Sequence, residues 1–244
     1  MSQRKPTVID MFSGCGGLSR GFMDAGYEVL LGVDHEEIAL KTFKHNHGDA
    51  IAFHGDLFKK ETILDMARLI KTKKVDVIIG GPPCQAYSLA GRAQDKNSMK
   101  DDYRNYLFES YIKVVDQYKP KIFVFENVIG LLSAKPKDIP VVDLIREEFD
   151  KHGYAIVSDL KKYALQDLTL FGVPQKRNRV IIIGIRKDLC HDSETVLKTF
   201  YTDILSQYHE PLKTVDDAIG DLPKLFPVEP YKVNGKKYSH TQGE

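Results

Sequence analysis

Apolar residues along the chain fall into two alternating rhythms. Short runs rich in Val, Ile and Phe, such as Val75-Asp76-Val77-Ile78-Ile79 and Ile122-Phe123-Val124-Phe125, read as strands buried on both faces. Longer stretches between them carry apolar residues every three or four positions and read as amphipathic helices. The pattern predicts strands over Thr7–Phe12, Glu28–Val33, Ile51–His54, Val75–Ile79, Ile122–Phe125, Ala155–Asp159 and Val180–Ile185. It predicts helices over Leu18–Ala25, Glu36–His45, Glu61–Thr72, Tyr103–Tyr118, Val141–His152, Glu194–Gln207 and Thr214–Ile219, with Pro140 suited to a first turn. Strands and helices that alternate this way build a doubly wound α/β domain, a mostly parallel sheet with helices on both faces.

Two stretches break the rhythm. From Ala90 to Asp102 the chain is polar without an apolar period and reads as a long surface loop, of a length that is often functional. After about Pro211 it becomes richer in Pro, Lys and Gly, with few apolar residues for a second core. The expected division is a catalytic and cofactor-binding domain over residues 1–210 and a C-terminal extension over 211–244.

Composition narrows the partners less than the pattern does. Lysine plus arginine (35) nearly balances aspartate plus glutamate (34), so a nucleic-acid surface has to be a local basic patch. The cysteines Cys15, Cys84 and Cys190 are widely spaced and form no metal-ligand pattern, which suits reduced thiols and no metal. No stretch is apolar enough to span a bilayer and no signal peptide follows Met1, so the expectation is a cytoplasmic protein.

Candidate chemistry gathers at strand ends. The first strand runs into Asp10-Met11-Phe12-Ser13-Gly14-Cys15-Gly16-Gly17-Leu18, a glycine-rich turn between strand and helix where backbone amides can approach a ligand. Asp34, twenty residues after Gly14, sits past the second strand, where a carboxylate can accept both hydroxyls of a ribose. His54-Gly55-Asp56-Leu57 ends the third. Three successive ends on one sheet edge suit an adenosine-containing cofactor, with Phe12 to stack on adenine and Asp56 to accept from its amine. Pattern alone leaves NAD and S-adenosylmethionine both open, and the GxGG spacing favours the second.

The buried strand at Val75–Ile79 empties into Gly80-Gly81-Pro82-Pro83-Cys84-Gln85, a rigid loop with Cys84 at its crest, as a nucleophilic thiolate requires. Ile122–Phe125 leads into Glu126-Asn127-Val128, and a partly desolvated carboxyl there can stay protonated near neutral pH and donate a hydrogen bond. Gly172-Val173-Pro174-Gln175-Lys176-Arg177-Asn178-Arg179 enters the last strand, where alternation points Gln175, Arg177 and Arg179 one way, and the arginines in that register can fork onto phosphate or a base carbonyl.

In order as well as content, these motifs resemble the DNA cytosine-C5 methyltransferases of bacteria and eukaryotes. Phe12–Gly17 looks like the family's first motif, Asp34 like its ribose contact and Gly55-Asp56 like its adenine contact. Pro82-Pro83-Cys84-Gln85 is similar to its nucleophile motif, Glu126-Asn127-Val128 to its ENV motif, and Gln175–Arg179 to its QxRxR motif. The resemblance runs from about residue 7 to 186. It implies a Rossmann-like fold and S-adenosylmethionine as cofactor, held by Asp10, Phe12, Ser13, Gly14, Cys15, Gly16, Gly17, Leu18, Asp34, His35, Asp56, Leu57, Gly81, Pro82 and Leu107. It also implies that a cytosine flips out of duplex DNA and Cys84 adds to C6. Glu126 then engages N3 and the exocyclic amine, and Arg179 neutralises charge at O2, with Arg177 beside it. Gln85, Ser88, Arg92, Asn127, Gln175 and Arg177 would contact DNA, with the polar loop after Ser88 closing over it.

Two departures qualify the resemblance. The ribose position is usually glutamate and here is Asp34, one methylene shorter. Nothing after Thr214 resembles the family's target-recognition domain and final motifs, so the chain is expected to be either a truncated product or one subunit of a split enzyme whose partner polypeptide supplies them. Methylation of tRNA, which one branch of the family performs, and a binding-only role remain alternatives.

Overall fold

The computed structural model describes residues 4–71, 73–83, 107–135, 139–223 and four short segments between 225 and 243. Contacts divide the chain into two units, Met1–Gln166 with Asn178–Tyr208, and Asp167–Arg177 with His209–Glu244.

In the first unit the β-branched runs form strands β1 (Thr7–Met11), β2 (Glu28–Asp34), β3 (Ile51–His54), β4 (Val77–Gly80), β5 (Ile122–Val128), β6 (Tyr154–Ile156), β7 (Leu165–Asp167) and β8 (Asn178–Arg186). The sheet order is β3-β2-β1-β4-β5-β8-β6, with β7 paired to β8 off that path. β3, β2, β1, β4 and β5 run parallel, and β8 lies antiparallel between β5 and β6. Order reverses beside β1, and in such sheets ligands bind in the crevice at the carboxyl ends of the strands around that switch.

The helices are α1 (Gly17–Asp24), α2 (Glu37–His47), α3 (Lys60–Ile70), α4 (Leu107–Tyr118), α5 (Val141–Lys151), α6 (Leu160–Tyr163) and α7 (Ser193–Thr199). Period-two alternation in the strands makes two cores. Val8, Val29, Val77 and Ile79 pack with Leu40 and Phe43 of α2 and with Leu18 and Phe22 of α1. Ile9, Met11, Ile78, Phe123 and Phe125 pack on the other face with Met66 of α3, Tyr111 of α4 and Phe149 of α5. Tyr111 is bonded to the sheet through its hydroxyl, which donates to the carbonyl oxygens of Ile78 (3.1 Å) and Val124 (2.9 Å). None of the described helices is long and apolar enough to cross a membrane.

The doubly wound reading holds, and three elements differ from it. The helix expected over Glu194–Gln207 is α7 followed by a π turn at Phe200–Ile204 and a 3-10 turn at Leu205–Tyr208. Within that wider turn the Tyr201 hydroxyl accepts from Ile183 N (2.9 Å) and donates to Ile181 O (2.8 Å), so docking on β8 coincides with the loss of regular helix. β6 stops at Ile156, and Asp159 instead caps α6 by accepting from Lys162 N at 2.9 Å. The 3-10 turn at Ile129–Ser133 had no counterpart in the apolar pattern.

The second unit holds a 3-10 turn at Leu168–Phe171 and helix α8 (Val215–Ile219), closed by a capping box between Thr214 and Asp217. Its remaining strands, β9 (Leu225–Pro227), β10 (Tyr231–Val233), β11 (Lys236–Tyr238) and β12 (Thr241–Gly243), pair antiparallel as β9 with β12 and β10 with β11.

Candidate active site

β1 carries Asp10 to the sheet edge and delivers the turn that follows. Phe12 (φ 56°), Gly14 (φ 51°) and Gly16 (φ 86°) all take the left-handed region, which folds the backbone back on itself before α1 begins at Gly17. The turn is stitched to its neighbours by backbone bonds, Ser13 N to Val33 O at 3.1 Å and Gly16 N to Ser13 O at 2.8 Å.

Asp34 holds the next strand end. Its Oδ2 accepts from Gly14 N (2.8 Å), its Oδ1 accepts from Glu36 N (2.9 Å), and its carbonyl accepts from Gly55 N (2.9 Å). The shorter acid thus pins the ends of β1, β2 and β3 together. His35 lies exposed beside it, with Nδ1 3.3 Å from Asp34 Oδ1, and its carbonyl meets His54 Nε2 at 2.9 Å. Asp56 accepts from Phe58 N at 3.0 Å, and Leu57 is buried. Cys15 and Gly17 are exposed, Leu18 and Phe12 half-buried.

Two polar atoms in this turn are buried without a partner, Asp10 Oδ2 and Ser13 Oγ. A buried acceptor without a partner costs about 1–3 kcal/mol. That pair fits a ligand end that brings a hydrogen-bond donor, as the amine of S-adenosylmethionine does. Burial pushes the Asp10 carboxyl up to about 7; the Ser19 hydroxyl and amide oppose the rise and Asp34 adds to it.

Packing behind the turn involves residues that the motifs did not mark. His47 is 4% exposed, stacks on Phe43 with ring centroids 4.2 Å apart, and meets Ser19 Oγ with Nε2 at 3.1 Å. A Cβ on Gly16 would lie 2.2 Å from His47 Cε1. The spacing Leu40, Phe43, His47 is one helical stripe, the only sequence sign that this histidine faces inward. Gly16→Ala is therefore expected to lower stability by about 1–3 kcal/mol, measured by urea unfolding. Gly17→Ala, with nothing within 4 Å of the added carbon, should stay close to the parent protein.

β4 ends at Gly80 and the backbone continues through Gly81, Pro82 and Pro83. Cys84, Gln85, Ser88 and Arg92, with the polar stretch from Ala90 to Asp102, lie outside the described residues. Leu107 opens α4. On the adjacent β5, Glu126 comes so close that a Cβ on Gly81 would be 2.7 Å from its Oε2. Glu126 Oε1 pairs with Arg179 Nε at 2.7 Å, with side chains 30% and 20% exposed. A partly desolvated carboxyl was expected there; the antiparallel register of β5 and β8, with Val128 opposite Arg179, also brings a guanidinium to it.

Asn127, expected at DNA, is 3% exposed; its Nδ2 donates to Pro82 O (3.3 Å) and its Oδ1 accepts from Val128 N (2.9 Å), so the amide ties the proline loop to β5. Gln175 is exposed and Arg177 half-buried, both before β8 begins and in the second unit, so strand alternation does not align them with Arg179. Among the described residues no group of three or more His, Cys, Asp or Glu could hold a metal.

Comparison with known proteins agrees with this arrangement. A family model described as C-5 cytosine-specific DNA methylase matches residues 6–243. The Type II methyltransferase M.Bpa9945I of Bacillus paralicheniformis is 34% identical, with 97% of this chain and 65% of that protein covered. M.DdeI of Desulfomicrobium norvegicum is 36% identical over 95% of this chain and 55% of its own. Among solved structures, a DNA modification methyltransferase encoded within a prophage (E. coli) superposes with a TM-score of 0.67 at 26% identity, covering 95% of this chain and 62% of that one. The chain spans about half to two thirds of the length of these curated relatives.

Proposed function

The chain belongs to the C-5 cytosine-specific DNA methylase family, and from that premise we propose that it transfers a methyl group from S-adenosylmethionine to C5 of a cytosine flipped out of duplex DNA. The observation that carries the reading is the adjacency of β1, β4 and β5: their carboxyl ends bring the glycine turn, the Pro82-Pro83 loop that leads to Cys84, and Glu126 to one edge of the sheet.

In this reading the glycine turn, Asp10, Ser13 and Asp34 hold the cofactor, which when bound supplies an electrophilic methyl group. Cys84, as thiolate, forms a bond to C6 of the cytosine and raises electron density at C5. Glu126 binds the N3 and amine edge of the ring, and Arg179 both steadies Glu126 and balances charge at O2. Loss of the C5 proton then expels the Cys84 sulfur and restores the ring. Asn127 positions the loop through Pro82. Residues 1–210 carry this chemistry and 211–244 lead toward target recognition, with Gln175 and Arg177 on phosphates.

The test is a covalent trap. Incubated with a complementing C-terminal polypeptide, labelled S-adenosylmethionine and duplex DNA containing 5-fluorocytosine, the protein should form a DNA adduct that is lost in Cys84→Ser. An equal adduct in the variant would reject the nucleophile, and preferential methylation of tRNA over duplex DNA would reject the substrate.

A further inference from the structure

Helix α2 is tied to the glycine turn at both of its ends. Just ahead of its first turn, Glu36 N donates to Asp34 Oδ1 (2.9 Å), and Asp34 Oδ2 in turn holds Gly14 N (2.8 Å). In its last turn, Asn46 Nδ2 donates to Cys15 O (3.4 Å) and His47 Nε2 meets Ser19 Oγ (3.1 Å). That end of the helix is itself fixed, because Lys44 Nζ donates to Gly48 O and Ala50 O. His47 Nδ1 lies 3.0 Å from Phe43 O, which only accepts, so Nδ1 carries a proton and, in the neutral ring, Nε2 accepts from the Ser19 hydroxyl. Ser19 is fully buried on α1, with its Oγ 3.3 Å from Gly16 O.

The stacked rings of His47 and Phe43 fill space that two glycines leave open. A Cβ on Gly16 would lie 2.2 Å from His47 Cε1, and one on Gly32 of β2 would lie 2.3 Å from Phe43 Cζ. The ring pair is thus a wedge between the turn and β2, the strand whose Val33 O accepts from Ser13 N (3.1 Å). Both rings are buried, so neither can swing into solvent without opening the core behind the turn.

We propose that His47 is a positioning residue for the cofactor, which holds the glycine turn in its binding conformation through the hydrogen bond to Ser19. This rests on the cofactor reading of the turn. The turn needs such support, because Phe12, Gly14 and Gly16 all take the left-handed region, and Phe12 does so with a side chain, at a cost that its surroundings must offset. Without the bond between His47 and Ser19, Asn46 is the one remaining side-chain hydrogen bond from α2 to the turn among the described residues. The fraction of molecules whose turn is ready to bind then falls, and the apparent affinity falls with it.

Calorimetric titration with S-adenosylmethionine, paired with urea unfolding of the same proteins, tests the proposal. His47→Phe keeps the stack on Phe43 and the wall against Gly16 but removes the bond to Ser19, and is expected to weaken binding about three- to tenfold, the effect of one hydrogen bond. Ser19→Ala should weaken it by a similar factor. The double variant should lose no more than about twofold beyond the larger single loss, because both changes break the same link. Ile145→Val, in the core on the other face of the sheet, lowers stability without touching the turn and should leave affinity within about twofold of the wild type. Single variants that bind as tightly as the wild type, losses that multiply in the double variant, or an equal loss in Ile145→Val would each overturn the proposal. Ser19→Ala is a small change inside a helix and folds whatever becomes of His47→Phe, and its comparison with Ile145→Val then decides alone. No binding by the wild type would overturn the cofactor reading, and this proposal with it.

Discussion

Changing Glu126 to glutamine is expected to lower the rate of methyl transfer by about 10²–10⁴-fold, the range for a group that binds and exchanges protons with a reacting ring. Glutamine keeps the size and one acceptor of glutamate, but it loses the charge that pairs with Arg179 at 2.7 Å. Both the proposed hydrogen bond to the cytosine edge and the placement of the guanidinium would then weaken, where the proposed mechanism develops charge. Affinity for S-adenosylmethionine should be unchanged, because the glycine turn is held from β2 through Asp34 and not from β5. Single-turnover transfer of labelled methyl groups, alongside cofactor titration, separates the two. A loss of less than about threefold in the transfer step would mean that Glu126 is not in contact with the reacting base.

Phe123→Ala should cost about 3–5 kcal/mol of stability, a large part of the roughly 5–15 kcal/mol that holds a folded protein together. Phe123 is fully buried on β5, stacked on Phe149 of α5 at 3.9 Å between ring centroids, and edge-on to Tyr154 at 5.5 Å and Tyr111 at 6.1 Å. On β8 its ring fills the space over Gly184, where a Cβ would come within 2.0 Å. Gly184 has no side chain to move into the vacated volume, and Tyr111 and Tyr154 are held by hydrogen bonds to the carbonyls of Ile78, Val124 and Pro120. The cavity therefore cannot collapse fully. Urea denaturation monitored by circular dichroism should show a lower midpoint at unchanged slope. A difference under about 1.5 kcal/mol would mean that the aromatic cluster relaxes into the gap.

The strands β1 to β5 and the helices that follow them were legible in the sequence because each is written locally. Alternating or continuous apolar runs decide a strand within a few residues, and the glycines after Met11 and the prolines after Gly81 impose their turns without help. β8 was legible as a strand but not as an antiparallel one, since an apolar run carries no sign of its neighbour's direction. The π turn at Phe200–Ile204 was hidden for a related reason: its helical pattern is sound, and only the docking of Tyr201 on β8 departs from it.

The candidate site divides along the same line. Residue types at the strand ends, Asp10, Asp34, Asp56 and Glu126, and the order of the motifs were set by sequence alone, because each belongs to a short contiguous signature. Which of them meet was decided by tertiary structure. Glu126 finds Arg179 through the β5–β8 register, Asn127 turns inward to Pro82, and His47 reaches Ser19 from the far end of α2. These contacts join residues distant along the chain, and a hydrogen bond or ion pair depends on a few tenths of an ångström that only the packed sheet and its two cores supply.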